Sequence, residues 1–217
     1  MHGELVARAI AGISYAVTID QFMLCCNIRS KSVAKAVLEF LKAHEIGISS
    51  NNVTYFSDVD RIKTAMLALR MGTDLERISE GLTWKDFEAF SQELLNLYGY
   101  KTHVNLRFTN PSMEIDVIGI RRDLAILIDC KHWKKNNLAS TSEYAKKQLR
   151  RSKLFLKKKT GVSFALPVIL TLHAEKVQLI DKIPVVPISK LDSFLNDIQA
   201  LFGQICIARL DEVKENS

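Results

Sequence analysis

Cysteine is scarce in this sequence: four in 217 residues, at positions 25, 26, 130 and 206. Their spacing fits neither zinc ligation nor a disulfide framework, so free thiols in a cytoplasmic protein are expected. The five histidines are scattered, with no pairing that would suit zinc. No glycine-rich phosphate loop is present, so neither a nucleotide cofactor nor a nucleotide-driven motor is expected in this chain. No apolar run approaches the roughly 18–20 residues of a membrane span. Residues 1–11 carry Glu4 and Arg8 inside a helical pattern and lack the features of a signal peptide. With four prolines and nine glycines, there is no low-complexity linker, and no internal repeat is found. What remains is 47% hydrophobic and 25% charged, the balance of a folded globular chain.

Negative charge is nearly missing from one stretch. Lys131 to Lys159 holds eleven Lys and Arg against one acid, Glu143, a charge of +10 in a chain of net +6, so the rest sums to −4. A basic segment on a slightly acidic protein points to a local polyanion site; the plainer reading is a solvated helix face.

The pattern changes near Gly81. Before it, helices dominate. One starts near Glu4; a short one is opened by the capping-box pair Thr18 and Gln21. A third is capped by Ser30 or Ser32, with Val33, Val37, Leu38 and Leu41 buried. The polar turn 49–52 leads to a strand over 53–56, and a helix from Asp58 to Met71 follows. Helix, short helix, turn, longer helix and β ribbon is the order of a winged helix. Its third helix would present Arg29, Lys31 and Lys35 to DNA. Self-pairing of such a module is the alternative. After Gly81 the reading is a helix over 84–98 and strands over 104–108, 113–120, 124–130, 165–172, 177–180 and 185–186. A basic helix over 142–158 and a closing helix over 191–202 complete it. Strands flanked by helices on both sides imply an α/β fold, a mixed sheet in a three-layer sandwich.

Two acids stand on strands joined by a short hairpin, in Glu114-Ile115-Asp116-Val117 and Ile128-Asp129-Cys130-Lys131. Residues two apart on a strand share a face, so Asp129 and Lys131 project together. A carboxylate within the apolar run 125–128 and its continuation is costly to bury alone. A divalent cation with oxygen ligands, Mg²⁺ or Mn²⁺, explains the pair: Asp116 and Asp129 bind it, and Lys131 orients a water and offsets phosphate charge. Glu114 shares the face of Asp116, as an outer acid of the site or a charge at the strand's beginning.

Asp116 followed by Asp129-Cys130-Lys131 resembles the PD-(D/E)xK nuclease signature. With Phe87-Glu88, Gly99-Tyr100 and Cys130-Lys131-His132-Trp133, it is similar to Mrr-type restriction endonucleases and archaeal Holliday-junction-resolvase relatives. The likeness spans roughly residues 82–202 and includes Val185-Val186-Pro187-Ile188. No proline precedes Asp116, and Asp129 stands where many Mrr-type members have Gln. The resemblance implies phosphodiester hydrolysis with a divalent metal. It also points to Glu88 as the first-helix acid. Glu88 lies nearer the apolar stripe of Trp84, Phe87, Phe90, Leu94, Leu95 and Tyr98 than Glu93, which faces solvent; a plain surface acid is the other reading of Glu88. Gln148, on the inner face of the basic helix with Tyr144 and Phe155, is either a core amide or, as in related nucleases, a site residue. Lys146, Lys147, Arg150, Lys153 and Lys157 fall on the opposite face. Lys134, Lys135 and Arg151 are better placed to contact phosphates.

The expectation is therefore a winged-helix-like domain over residues 1–80 and a restriction-endonuclease-like domain over 81–217. Together they form a Mg²⁺-dependent DNA endonuclease, for which a homodimer would suit cleavage of two strands. The competing readings are a non-cleaving DNA-binding regulator and an RNA-processing nuclease of the same fold.

Overall fold

The computed structural model describes residues 1–131, 138–172 and 176–215. The chain divides into two compact units, 1–90 and 91–217.

The first unit runs α1 (Gly3–Ala9), a 3₁₀ turn (Ile10–Gly12), β1 (Ala16–Thr18), α2 (Ile19–Cys25), α3 (Lys31–Ala43), β2 (Ile48–Ser50), β3 (Val53–Tyr55), α4 (Asp60–Arg70) and α5 (Leu75–Ser79), then the first half of α6 (Trp84–Leu97). The local signals act as their chemistry requires. Thr18 and Gln21 close a reciprocal capping box on α2, and the Ser30 hydroxyl accepts from Val33 N at the start of α3. Asn51 and Asn52, both at positive φ, make the tight turn between β2 and β3. The three strands form an antiparallel sheet in the order β1-β3-β2. Three local readings change. β2 takes in Ser49 and Ser50, which the expected turn over 49–52 had included. β1 is unforeseen, because three residues give no alternation to read; its partner β3 supplies the hydrogen bonds that define it. The buried line of α3 is Ala34, Val37 and Leu41, with Val33 and Leu38 only half-buried.

The second unit carries the larger sheet: β4 (Lys101–Thr109), β5 (Ser112–Arg121), β6 (Leu124–Lys131), β7 (Phe164–Thr171), β8 (Gln178–Ile180), β9 (Ile183–Pro187) and β10 (Ala208–Arg209), with α7 (Leu138–Lys158), α8 (Leu191–Asp197) and α9 (Leu210–Glu215). The order is β4-β5-β6-β7-β9-β8, with β10 on β7. β4, β5 and β6 form an antiparallel meander; β6, β7 and β9 run parallel. The parallel strands are buried along their length, as strands covered on both faces must be. On one face Ile118, Ala125 and Leu127 pack with Phe155 and Leu156 of α7 and Val213 of α9. On the other, Gly119 lets the last turn of α6 approach. A Cβ there would meet Leu95 Cδ1 at 3.0 Å and Tyr100 Cβ at 3.2 Å. The architecture is the expected mixed α/β sheet following a helical region.

The closing helix is shorter than its apolar pattern suggests: α8 ends at Asp197. Residues 198–207 turn back so that Ala208 can pair with Ala165 and Arg209 with Phe164, a long-range demand that periodicity cannot register. None of the four cysteines is in a disulfide. Among the described residues no helix is long and apolar enough to cross a membrane.

Candidate active site

The site begins where two strands part. Pairing of β5 with β6 runs from Arg121–Leu124 to Val117–Ile128 and ends there. On the other side of β5, Val104 pairs with Val117 and Leu106 with Ile115, but Asn105, at φ 52°, makes no pair opposite Asp116. Asp116 therefore stands at an interruption in both ladders. Its carboxylate Oδ2 accepts from Cys130 N at 2.8 Å, taking a donor that β6 would otherwise present to a neighbouring strand. β6 continues alone beside β7, with Asp129 opposite Ile169 and Lys131 opposite Thr171.

Strand alternation sends Leu127, Asp129 and Lys131 to the face covered by α7. Asp129 is only 2% exposed. Arg151 Nη1 of α7 donates to its Oδ1 at 2.6 Å, and Lys131 Nζ lies 2.8 Å from its Oδ2. The ammonium is close enough for an ion pair yet off the direction of a hydrogen bond, so Oδ2 is buried without a hydrogen-bond partner among the described residues. Burial, and then the neighbouring Asp129 charge, push the Asp116 carboxyl above its ordinary range; the Cys130 amide and the Lys131 and Arg151 cations oppose that rise.

α7 supplies the rest. Lys131 Nζ stands 5.1 Å from the centre of the Tyr144 ring, a cation–π contact that aims it. Gln148 is fully buried; its amide donates to Leu127 O at 2.7 Å and Val168 O at 3.4 Å, and its oxygen accepts from Arg151 at 3.1 Å. Of the two sequence readings of Gln148, the contacts are those of a core amide that also holds a site residue. Arg151 is drawn inward to a carboxylate rather than standing free as a phosphate contact. Lys146, Lys147, Arg150, Lys153 and Lys157 are exposed. Lys134 and Lys135, with His132 and Trp133, lie outside the described residues.

Glu88 is half-buried on α6, within the first unit; Glu93, expected in solvent, is also half-buried. Glu114 forms a cross-strand ion pair with Arg107 at 3.1 Å. Arg29 is exposed, Lys31 pairs with Asp20 at 3.2 Å, and Lys35 pairs with Glu39 at 3.9 Å, all near the surface. Sequence reasoning missed Tyr144 as the support of Lys131 and Arg151 as the partner of Asp129. The available signal was the placement of Tyr144 and Arg151 four residues before and three after Gln148, on one helix face.

The donor set can be tested against a metal. Among the described residues no three His, Cys, Asp or Glu side chains are grouped to hold one. Two carboxylates are present, one with a buried oxygen lacking a hydrogen bond. That fits a hard cation which keeps several waters and takes few protein oxygens.

Residues 79–159 match the family model Mrr_cat, described as a restriction endonuclease. The match supports a restriction-endonuclease-like domain of the Mrr type, within the PD-(D/E)xK superfamily, over this segment. Among solved structures, the chain is similar to AF1548, described as a protein of unknown function (23% identity over 39% of this chain and 45% of that one, TM-score 0.29). It is also similar to VC1899 from Vibrio cholerae (11% identity over 93% of this chain and 51% of that one, TM-score 0.39). The chain spans about half the length of these two structures. No curated protein matches it.

Proposed function

We propose that this protein is a Mg²⁺- or Mn²⁺-dependent DNA endonuclease. The observation that carries the reading is Asp129: buried at the parting of β5 and β6, beside Asp116, with Oδ2 accepting no hydrogen bond among the described residues. Two acids sharing a partly buried place repel each other, and a divalent ion between them would turn that cost into binding. Asp116 and Asp129 would hold the ion. Such an ion, when bound, polarises a phosphoryl oxygen and makes water a better nucleophile.

The protein's own part is positional. Lys131, aimed by Asp129 and Tyr144, would orient the attacking water and offset charge gathering on the phosphate. The water oxygen bonds to phosphorus, one phosphorus–oxygen ester bond breaks, and the leaving oxygen takes a proton. Arg151 and Gln148 hold Asp129 and the helix in register with the strands.

For the first domain, proposed to span residues 1–80, the order α1-β1-α2-α3-β2-β3 with its three-stranded sheet supports a winged-helix-like DNA-binding role. Arg29, Lys31 and Lys35 would meet phosphates. A second reading, a partner or homodimer module, is favoured by another observation. Tyr15 and Ile48 are 83% and 74% exposed, Ile48 pairs with Tyr55 across the sheet, and Tyr15 packs edge-on against Tyr55. Acids Asp20 and Glu39 also offset two of the three cations.

The test is cleavage of linear, branched and modified DNA, and of RNA, with and without Mg²⁺. Metal-dependent nicking of DNA that is lost in Asp116→Asn and Asp129→Asn supports the reading. Cleavage of RNA alone would move it to RNA processing. Tight DNA binding without cleavage under any metal would make it a regulator.

A further inference from the structure

Arg151 belongs to two surroundings at once. On one side, Nη1 donates to Asp129 Oδ1 at 2.6 Å and to Gln148 Oε1 at 3.1 Å. Gln148 cannot turn away, because its amide nitrogen is engaged by the carbonyls of Leu127 and Val168 on two adjacent strands. On the other side, the Arg151 side chain, 26% exposed, lines a groove of about 490 Å³ between the turn at 111–113 and the outer side of α7. Lys147, Arg150, Lys153 and Lys157 line it too, and among the described residues no acid does. Five cations without a carboxylate suit the phosphates of a nucleic-acid backbone.

Charge makes the double position consequential. With both carboxyls ionised, Asp116 and Asp129 are balanced by Lys131 and Arg151, so a divalent ion would bring an uncompensated +2 into a partly buried site. It would also need the Asp129 oxygen that Arg151 now holds. An arginine fork pairs at least as well with a phosphate as with a carboxylate.

We propose that Arg151 is a latch on the metal site: it holds Asp129 in the free protein, and a backbone phosphate in the α7 groove draws it off, so that nucleic acid loads the metal. The inference rests on the nuclease reading of Asp116 and Asp129 and adds a regulation to it. Arg151 acts here through Asp129, as a positioning residue. Metal and DNA then bind with positive coupling, which must be reciprocal.

The experiment is Mn²⁺ titration calorimetry on the full chain, alone and with an uncut phosphorothioate duplex. It compares wild type, Arg151→Ala, Arg151→Lys and Asp116→Asn. Without DNA, Arg151→Ala should bind Mn²⁺ about tenfold more tightly than wild type. Arg151→Lys keeps the charge but is too short and unforked to hold both Asp129 and Gln148, so it too should tighten Mn²⁺ binding. The duplex should raise wild-type Mn²⁺ affinity by about tenfold or more, and that of Arg151→Ala by clearly less. Wild-type affinity in Arg151→Lys would overturn the latch, leaving only a charge effect. So would an undiminished DNA effect in Arg151→Ala. If Arg151→Ala fails to fold, by circular dichroism, Arg151→Lys decides alone. A separate pattern marks failure of the underlying reading: no Mn²⁺ bound by any form, or equal binding by wild type and Asp116→Asn.

Discussion

Among the described residues each unit of the molecule contains a partly or fully buried arginine–aspartate pair, and the two are built to different ends. In the first unit Arg61 Nε lies 3.2 Å from Asp86 Oδ2, with side chains 22% and 13% exposed. The guanidinium also donates to the carbonyls of Ile10, Ile13 and Gly81, while Asp86 Oδ2 accepts from Thr83 N at 2.7 Å and from the Thr83 hydroxyl at 2.6 Å. Asp86 has its donors, and the pair ties the 3₁₀ turn, α4 and the start of α6 together. In the second unit Arg151 meets Asp129, whose other oxygen is buried without a hydrogen bond among the described residues. A saturated buried pair stabilises a structure; one shared with a second acid and a lysine marks a place where chemistry is expected.

Substitution should expose that difference most sharply in activity. Asp129→Asn should lower metal-dependent cleavage by on the order of 10³-fold while circular dichroism stays that of wild type. Retained cleavage would remove Asp129 from the site. Arg61→Ala should do the reverse. It takes the cation from Asp86 and removes one donor from each of three carbonyls, so chemical denaturation should show a loss of about 2–4 kcal/mol. Cleavage per folded molecule should barely change. An unshifted midpoint would show that Arg61 is not the tie described.

Asp116→Asn sharpens the comparison through pH. The folded protein raises the carboxyl of Asp116, chiefly by burial and then by the Asp129 charge. A raised acid is protonated more readily folded than unfolded. The associated stability is full below the unfolded value and is lost as pH rises through the folded one. Asp116→Asn should therefore melt above wild type at neutral pH, with the gap closing as pH falls into the acid range. A constant gap would mean that the shift is not the cause.

Smaller effects belong to the surfaces. Replacing Lys147, Lys153 and Lys157 singly by Ala should each reduce the slope of log affinity for DNA against log salt by about 1, without sequence preference. An unchanged slope in the triple variant would return this face to solvent. Lys31→Ala should cost no more than about 0.5 kcal/mol of stability, because its bridge to Asp20 is exposed.

Much of this arrangement was legible beforehand. Thr18 with Gln21 and Ser30 act within a few residues of themselves, so their caps could be read directly. Asp116, Asp129 and Lys131 could be placed because strand alternation is local. Other features answer to partners far along the chain. β1 exists through β3, and α8 stops where residues 198–207 must return to β7. The inner face of α7 was read correctly, yet not what it would touch. Tyr144 reaches Lys131, and Arg151 reaches Asp129, only once the helix is laid across β6.

The amino-acid order alone determined which residues carry charge, how strands and helices alternate, and that two acids and a lysine share a stretch of sheet. These follow from periods of two and 3.6 residues, which operate at short range. Tertiary structure alone decided that β5 and β6 part at Asp116, that the Cys130 amide turns to its carboxylate, and that Arg151 stands between Asp129 and a cationic groove. Those outcomes depend on how a helix more than twenty residues away packs onto the sheet, and packing is a property of surfaces that meet only when the chain has folded.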